Sequence, residues 1–150
     1  GGGVFFRIPA VLPSPVAPLA AAAVSTSADL EDPDLDGFPN LVEYAAGTNP
    51  LVADSHLLRP SLAAFENGRS LSLCFPRDPA RSDVTITIEA SSNLAPPWTP
   101  LATSVAGGPF SGVGYCSGET GGSGLKSVLI RDTATTRTSP ARFIRIRVNR

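Results

Sequence analysis

The stretch Val84-Thr85-Ile86-Thr87-Ile88-Glu89-Ala90 decides the fold class. Successive side chains of an extended strand point to opposite faces. Val84, Ile86, Ile88 and Ala90 therefore share one apolar face, and Thr85, Thr87 and Glu89 share a polar one. β-branched residues pack well on such a half-buried pleated surface. The pattern predicts a strand with one side in a core.

Working outward, the same period recurs on both sides. Upstream, Leu58 to Phe65 reads as a strand, and Leu71, Leu73 and Phe75 alternate inward on the next, placing Cys74 on the opposite face. Between them lies Glu66-Asn67-Gly68-Arg69, a hairpin signal in which Asn-Gly supplies positive φ angles. Pro76 to Asp83 is a polar loop. Downstream, strands are predicted from Trp98 to Val105, with Trp98 as a core anchor, and from Leu125 to Arg131. Residues 142–148 form the last, with Ile144, Ile146 and Val148 inward and the arginines outward. Gly107 to Gly124 is a Gly-rich excursion holding Phe110, Tyr115 and Cys116. Six or seven short antiparallel strands separated by turns predict an all-β antiparallel β-sandwich over 57–150, of jelly-roll or immunoglobulin-like kind.

Composition agrees. The chain has 150 residues, enough for one domain with a proper core. Its 14 glycines and 15 prolines favour turns and extended chain over long helices. The net charge of −1 comes with no basic stripe, which argues against a nucleic-acid partner. No run is apolar and long enough to span a bilayer as a helix. Met is absent and the chain opens Gly1-Gly2-Gly3, as expected of a processed product or of part of something longer.

A different chemistry precedes the strands. Residues 32–50 read Asp-Pro-Asp-Leu-Asp-Gly-Phe-Pro-Asn-Leu-Val-Glu-Tyr-Ala-Ala-Gly-Thr-Asn-Pro. The first twelve fit D-x-[DN]-x-[DN]-G-x5-E without a mismatch. Asp32, Asp34 and Asp36 fill positions 1, 3 and 5, Gly37 the sharp turn at 6, Asn40 position 9 and Glu43 position 12. Ca2+ is a hard cation taking about 6–8 oxygen ligands. Alternate residues of a tight loop aim their carboxylates at one centre. The carbonyl of Phe38 would add a backbone oxygen. Without a cation the four carboxylates would repel one another. The bland reading is an acidic solvated loop.

Position 8 is Pro39, which has no amide hydrogen to pair with a second loop. No second loop occurs in the sequence, so one structural calcium site is expected and not a sensor. The helix Asn40 to Ala46 should present Leu41, Tyr44 and Ala45 on one face. Gly47 should cap it, and Asn49-Pro50 should impose an extended exit.

The stretch resembles the calcium loops of thrombospondin type 3 repeats and dockerins. With its tail Asn-Leu-Val-Glu-Tyr-Ala-Ala-Gly-Thr-Asn-Pro it also resembles a motif near the C-terminus of many secreted bacterial proteins, where a β-rich module follows. That likeness covers residues 29–150, and is specific over 32–50 and loose beyond. It implies an accessory or anchoring module of a larger secreted protein.

At the N-terminus, residues 4–12 predict one apolar edge-type strand with Val4, Phe6, Ile8, Ala10 and Leu12 on one side. Pro9 bars it from the middle of a sheet. Residues 13–28, rich in Pro, Ala and Ser, predict a stiff spacer that holds the strand away from the body. Ser14, Ser25, Thr26 and Ser27 could carry O-glycans, although a plain linker is the simpler reading. The arm admits two readings. It folds back to complete its own sheet, or it enters the next subunit as in the donor-strand complementation of pilins. The second contact is head-to-tail and would build a homopolymeric filament.

Four segments result: strand 1–12, linker 13–28, calcium loop and short helix 29–56, and sandwich 57–150. A calcium loop of modest affinity works outside cells. That setting permits a Cys74–Cys116 disulfide, the other reading being two separate thiols. Trp98, Tyr115 and Phe110 either pack ordinarily or line a face for an extracellular polysaccharide. One histidine, His56, and the lack of any nucleophile motif argue against an enzyme. The expectation is an extracellular structural protein, a filament subunit or else an accessory module.

Overall fold

The computed structural model describes residues 2–7, 11–12, 27–117 and 119–150. The alternating segments are strands there, and the helical stretch is a helix. In chain order the elements are β1 (Gly2–Arg7), β2 (Val11–Leu12), α1 (Ser27–Leu30), α2 (Asn40–Ala46), β3 (Arg59–Phe65), β4 (Gly68–Arg77), β5 (Thr85–Ser91), β6 (Thr99–Val105), β7 (Tyr115–Cys116), β8 (Lys126–Arg131) and β9 (Phe143–Asn149). They form two antiparallel sheets, ordered β2-β1-β9-β5-β6 and β3-β4-β8-β7. This is the layering of an all-β sandwich. No described helix is long and apolar enough to cross a membrane.

The period-2 pattern explains the core. In the first sheet Ile86, Ile88 and Ala90 pair with Val148, Ile146 and Ile144, and all six are buried. In the second, Leu73 and Phe75 pair with Ile130 and Val128, again buried. Apolar area removed from water stabilises by about 25 cal/mol per Å². That term holds the sheets together.

The outward face of the first sheet corrects one expectation. Trp98 is not a core anchor. It precedes β6, is half-buried, and lies under the Arg145 guanidinium, 4.3 Å from ring centroid to Cζ. Leu101 and Ala102 take the buried apolar positions of β6 instead. Arg145 donates from Nε to Glu89 Oε2 at 2.6 Å, and Arg147 Nη2 lies 3.0 Å from Glu89 Oε1. A buried carboxylate needs such partners. Phe110 is buried edge-on to Phe75, with centroids 5.6 Å apart at 83°. Phe110 thus packs in the core, and the side chain of Tyr115 lies outside the described residues.

The Gly-rich excursion contributes β7, which the sequence reading did not anticipate. It is pinned by Arg77, whose Nε and Nη2 donate to Glu119 at 2.8 and 2.7 Å and whose Nη1 donates to the Gly107 carbonyl at 2.8 Å.

The disulfide is also corrected: Cys74 and Cys116 are free thiols. Cys74 pairs with Leu129 and Cys116 with Ile130, on opposite sides of β8. Strands two apart are separated by about 10 Å, whereas a disulfide needs Cα atoms within about 7 Å. Leu129 and Ile130 also face opposite ways, so the two thiols lie on opposite faces of the sheet.

Of the two readings of the N-terminal strand, the structure takes the one in which it completes its own sheet, although not as a single strand on a spacer. β1 lies inside its own chain's sheet, between β9 and β2. Val4 pairs with Ile146 and is 1% exposed. A Cβ added at Gly2 would sit 3.2 Å from Leu30 and 3.4 Å from Pro39, so the strand is not held away from the body. Nor is 4–12 one strand. β1 ends at Arg7, and β2 returns antiparallel with Leu12 opposite Phe5 and Val11 opposite Phe6. Leu12 thus follows the parity of Phe5, not that of Val4 and Phe6. Pro9 has no N–H with which to continue a ladder. Ile8, Ala10 and most of the spacer, with Ser14, Ser25 and Thr26, lie outside the described residues. The spacer's last residues, Ser27 and Ala28, begin α1.

Candidate metal centre

The acidic loop sits between α1 and α2, and α2 anchors it. Leu41, Val42, Ala45 and Ala46 are buried, as is Phe38 just before the helix. The expected face of Leu41 and Ala45 is therefore the core face, with half-buried Tyr44 packed against it. Gly47 is the C-cap at φ 78°, and its N–H donates to the carbonyls of Glu43 and Tyr44 at 2.7 and 3.2 Å. Only glycine takes that conformation without penalty.

The Tyr44 hydroxyl donates to Asp83 Oδ1 at 3.0 Å. The guanidinium carbons of Arg81 and Arg150 lie 4.4 and 4.7 Å from the Tyr44 ring centroid. Arg150 also reaches Asp29 at 3.3 Å and Asp83 at 3.2 Å. The helix is thereby fastened to the last strand's end as well as to the core.

The loop is closed at its base. Asn40 donates from its main-chain N to the Glu31 carbonyl and from Nδ2 to the Ala28 carbonyl, both at 2.8 Å. Inside, backbone amides hold the carboxylates. Asp32 accepts from the N–H of Asp36 at 3.2 Å and of Gly37 at 2.9 Å. Asp34 Oδ1 accepts from Asp36 N–H at 3.3 Å, and Asp36 Oδ1 from Phe38 N–H at 2.9 Å. Two left-handed residues make this winding: Gly37 at φ 92° and Leu35 at φ 60°. For leucine that conformation costs roughly 1–2 kcal/mol.

Asp32, Asp34 and Asp36 each place a carboxylate oxygen within 4.8 Å of the others, a cluster that could hold a metal ion. Phe38, Asn40 and Glu43 lie outside that triad. Two of them nonetheless carry its signature. Asp34 Oδ2, Asn40 Oδ1 and Glu43 Oε2 are buried oxygens with no hydrogen-bond partner. They belong to positions 3, 9 and 12 of the loop. A buried polar atom without a partner costs about 1–3 kcal/mol. Glu43 is 0% exposed. Burial, reinforced by the charges of Asp34, Asp36 and Asp32, pushes its carboxyl up to about 7. Burial, partly offset by the Asp36 amide and reinforced by the charges of Asp36 and Asp32, also raises Asp34 from its ordinary value.

The sequence reading missed two neighbours. Asn49-Pro50 does not lead into an extended exit. Val52 N–H donates to the Asn49 carbonyl at 3.0 Å and Leu51 N–H to Asn49 Oδ1 at 3.1 Å, so the chain turns there. The turn brings Asp54 back to the loop, where its N–H donates to Asp36 Oδ2 at 2.7 Å. Thr48 contacts Glu43. Asn-Pro favours turns, and that was the available signal. His56 is exposed.

The chain matches no protein-family model, no curated protein and no solved structure.

Proposed function

We propose that this chain is an extracellular, non-catalytic β-sandwich module, braced by one calcium ion at 32–43, that serves as an accessory or anchoring part of a larger secreted protein. The observation that carries the reading is the set of unpartnered buried oxygens on Asp34, Asn40 and Glu43 beside the aspartate triad. Their donor set is all oxygen, as calcium prefers. Asp32, Asp34, Asp36, Asn40, Glu43 and the Phe38 carbonyl would hold the ion. When bound, the ion supplies positive charge that offsets the repulsion among these acids.

The protein's own residues do the rest. α2 carries Glu43 into the core side of the loop, and Tyr44 with Arg150 ties that helix to the sandwich. Metal binding thus stiffens the joint between the N-terminal segment and the β body. A filament subunit would need β1 in a neighbour's sheet. Its place in its own sheet favours the self-contained module.

Thermal melts of metal-stripped protein test the reading. Millimolar calcium should raise the midpoint, since a ligand at about 1,000 times its Kd stabilises by about 4 kcal/mol. Asp36→Ala should abolish the rise. An unchanged wild-type midpoint would refute the brace.

A further inference from the structure

We propose that the metal centre extends beyond its twelve-residue loop, with Thr48 and Asp54 as positioning residues that set Glu43 and Asp36 for a divalent cation. This rests on the reading of the loop as a metal site. That site itself stands on more than clustered acids, because the wholly buried Glu43 leaves Oε2 without a protein partner.

Thr48 follows the Gly47 cap. Its N–H donates to the Glu43 carbonyl at 3.0 Å, which fixes the threonine against the helix end. Its hydroxyl lies 3.5 Å from Glu43 Oε1 and 3.4 Å from the Glu43 carbonyl oxygen. The hydroxyl thus lies on the Oε1 side of the carboxylate, at the outer limit of hydrogen bonding, and Oε2 has no protein partner.

Asp36 differs, since both of its oxygens accept an amide and each keeps a second lone pair for a cation. Phe38 N–H holds Asp36 Oδ1 at 2.9 Å, and Asp54 N–H holds Oδ2 at 2.7 Å. The Asp54 amide is aimed by its own turn. Its carboxylate accepts from His56 N–H at 3.0 Å, and its carbonyl from Leu57 N–H at 3.2 Å. Leu57 is buried, which anchors the far side of the turn. The side chain of Asp54 therefore acts on the metal loop through its main chain. An asparagine could form the same turn.

Hydrogen-bond partners behind metal ligands typically account for about 10–100-fold in affinity. Calorimetric calcium titration of the full chain is the test, on wild type and on Thr48→Val, Thr48→Ser, Asp54→Ala and Asp54→Asn. Melts of the metal-stripped variants establish that each is folded. Thr48→Val and Asp54→Ala should each weaken binding by about tenfold or more. Thr48→Ser and Asp54→Asn should keep wild-type affinity. Wild-type affinity in Thr48→Val and Asp54→Ala would overturn the inference while leaving the metal site standing. So would loss of binding in Asp54→Asn equal to that in Asp54→Ala, which would make the charge itself the ligand. If Asp54→Ala does not fold, Thr48→Val decides, with weakened binding supporting the inference and wild-type affinity overturning it. A wild-type chain that takes up no calcium would remove the metal reading and the inference together.

Discussion

A chain lacking residues 1–12 will unfold readily or aggregate, and will not persist as a stable soluble monomer. β1 fills an interior place in the first sheet, so its loss strips one edge of β9 of hydrogen bonds. It also uncovers the side of the core where Val4 is 1% exposed. Burying one such side chain is worth about 1.5–3 kcal/mol. With the ladder included, the loss should be on the order of 3–5 kcal/mol, a large part of the 5–15 kcal/mol typical of a domain. An opened strand edge is also a template for pairing with other chains. Urea midpoints and light scattering, compared with the full chain, measure both effects. A truncated chain that stays monomeric at the full-length midpoint would show that β1 is dispensable in its own sheet. It would return the arm to a neighbour.

The second large effect is a pH dependence that calcium cancels. Glu43 has an ordinary value of 4.5 and is raised to about 7 in the fold. Its folded state therefore binds the proton more tightly than the unfolded state does. The associated stability is fully present below about 4.5 and is lost as pH rises through about 7. A tenfold difference in proton affinity between the two states corresponds to about 1.4 kcal/mol. Metal-stripped protein should thus lose on the order of 3 kcal/mol between pH 5 and pH 8. Asp34, raised for the same reason, acts in the same direction. Bound calcium favours the carboxylate and should flatten the profile. Glu43→Gln should flatten it too, and should bind no calcium tightly. Urea midpoints at several pH values, with and without calcium, give the slopes. A metal-stripped wild type with no slope over this range would contradict the burial of an unpartnered carboxyl.

Sequence legibility followed the physics of each signal. Strands whose alternation runs through β-branched residues, such as Thr85–Ser91 and Phe143–Asn149, were readable almost to the residue. There the period itself encodes which face is buried. The cap at Gly47 was readable because few residues tolerate positive φ. The hairpin was readable in place but not in its turn, since the positive φ falls on Glu66, at 49°, and Gly68 already begins β4. Trp98 was misassigned because size and hydrophobicity do not say which face a residue takes beside a bulge. Such an irregularity lies at Ile88/Glu89. The cysteine pair failed for a geometric reason. Forming a bridge depends on strand order, and β8 lies between β4 and β7.

The arm was half legible. Its apolar character was clear, but the antiparallel pairing of β1 with β2 and the slot beside β9 depend on contacts that the period alone does not encode. In the metal loop the ligand spacing was local and could be read. The supports from Thr48 and Asp54 were not, since they arise from a turn that folds back on the loop.

The most direct measurement of the central claim is a calorimetric titration of metal-stripped chain with calcium near pH 7, run in two buffers of different ionisation enthalpy. The account predicts saturation at one ion per chain and heats that differ between the buffers, because Glu43 gives up its proton as the ion enters. A titration with no saturable heat in either buffer would contradict it.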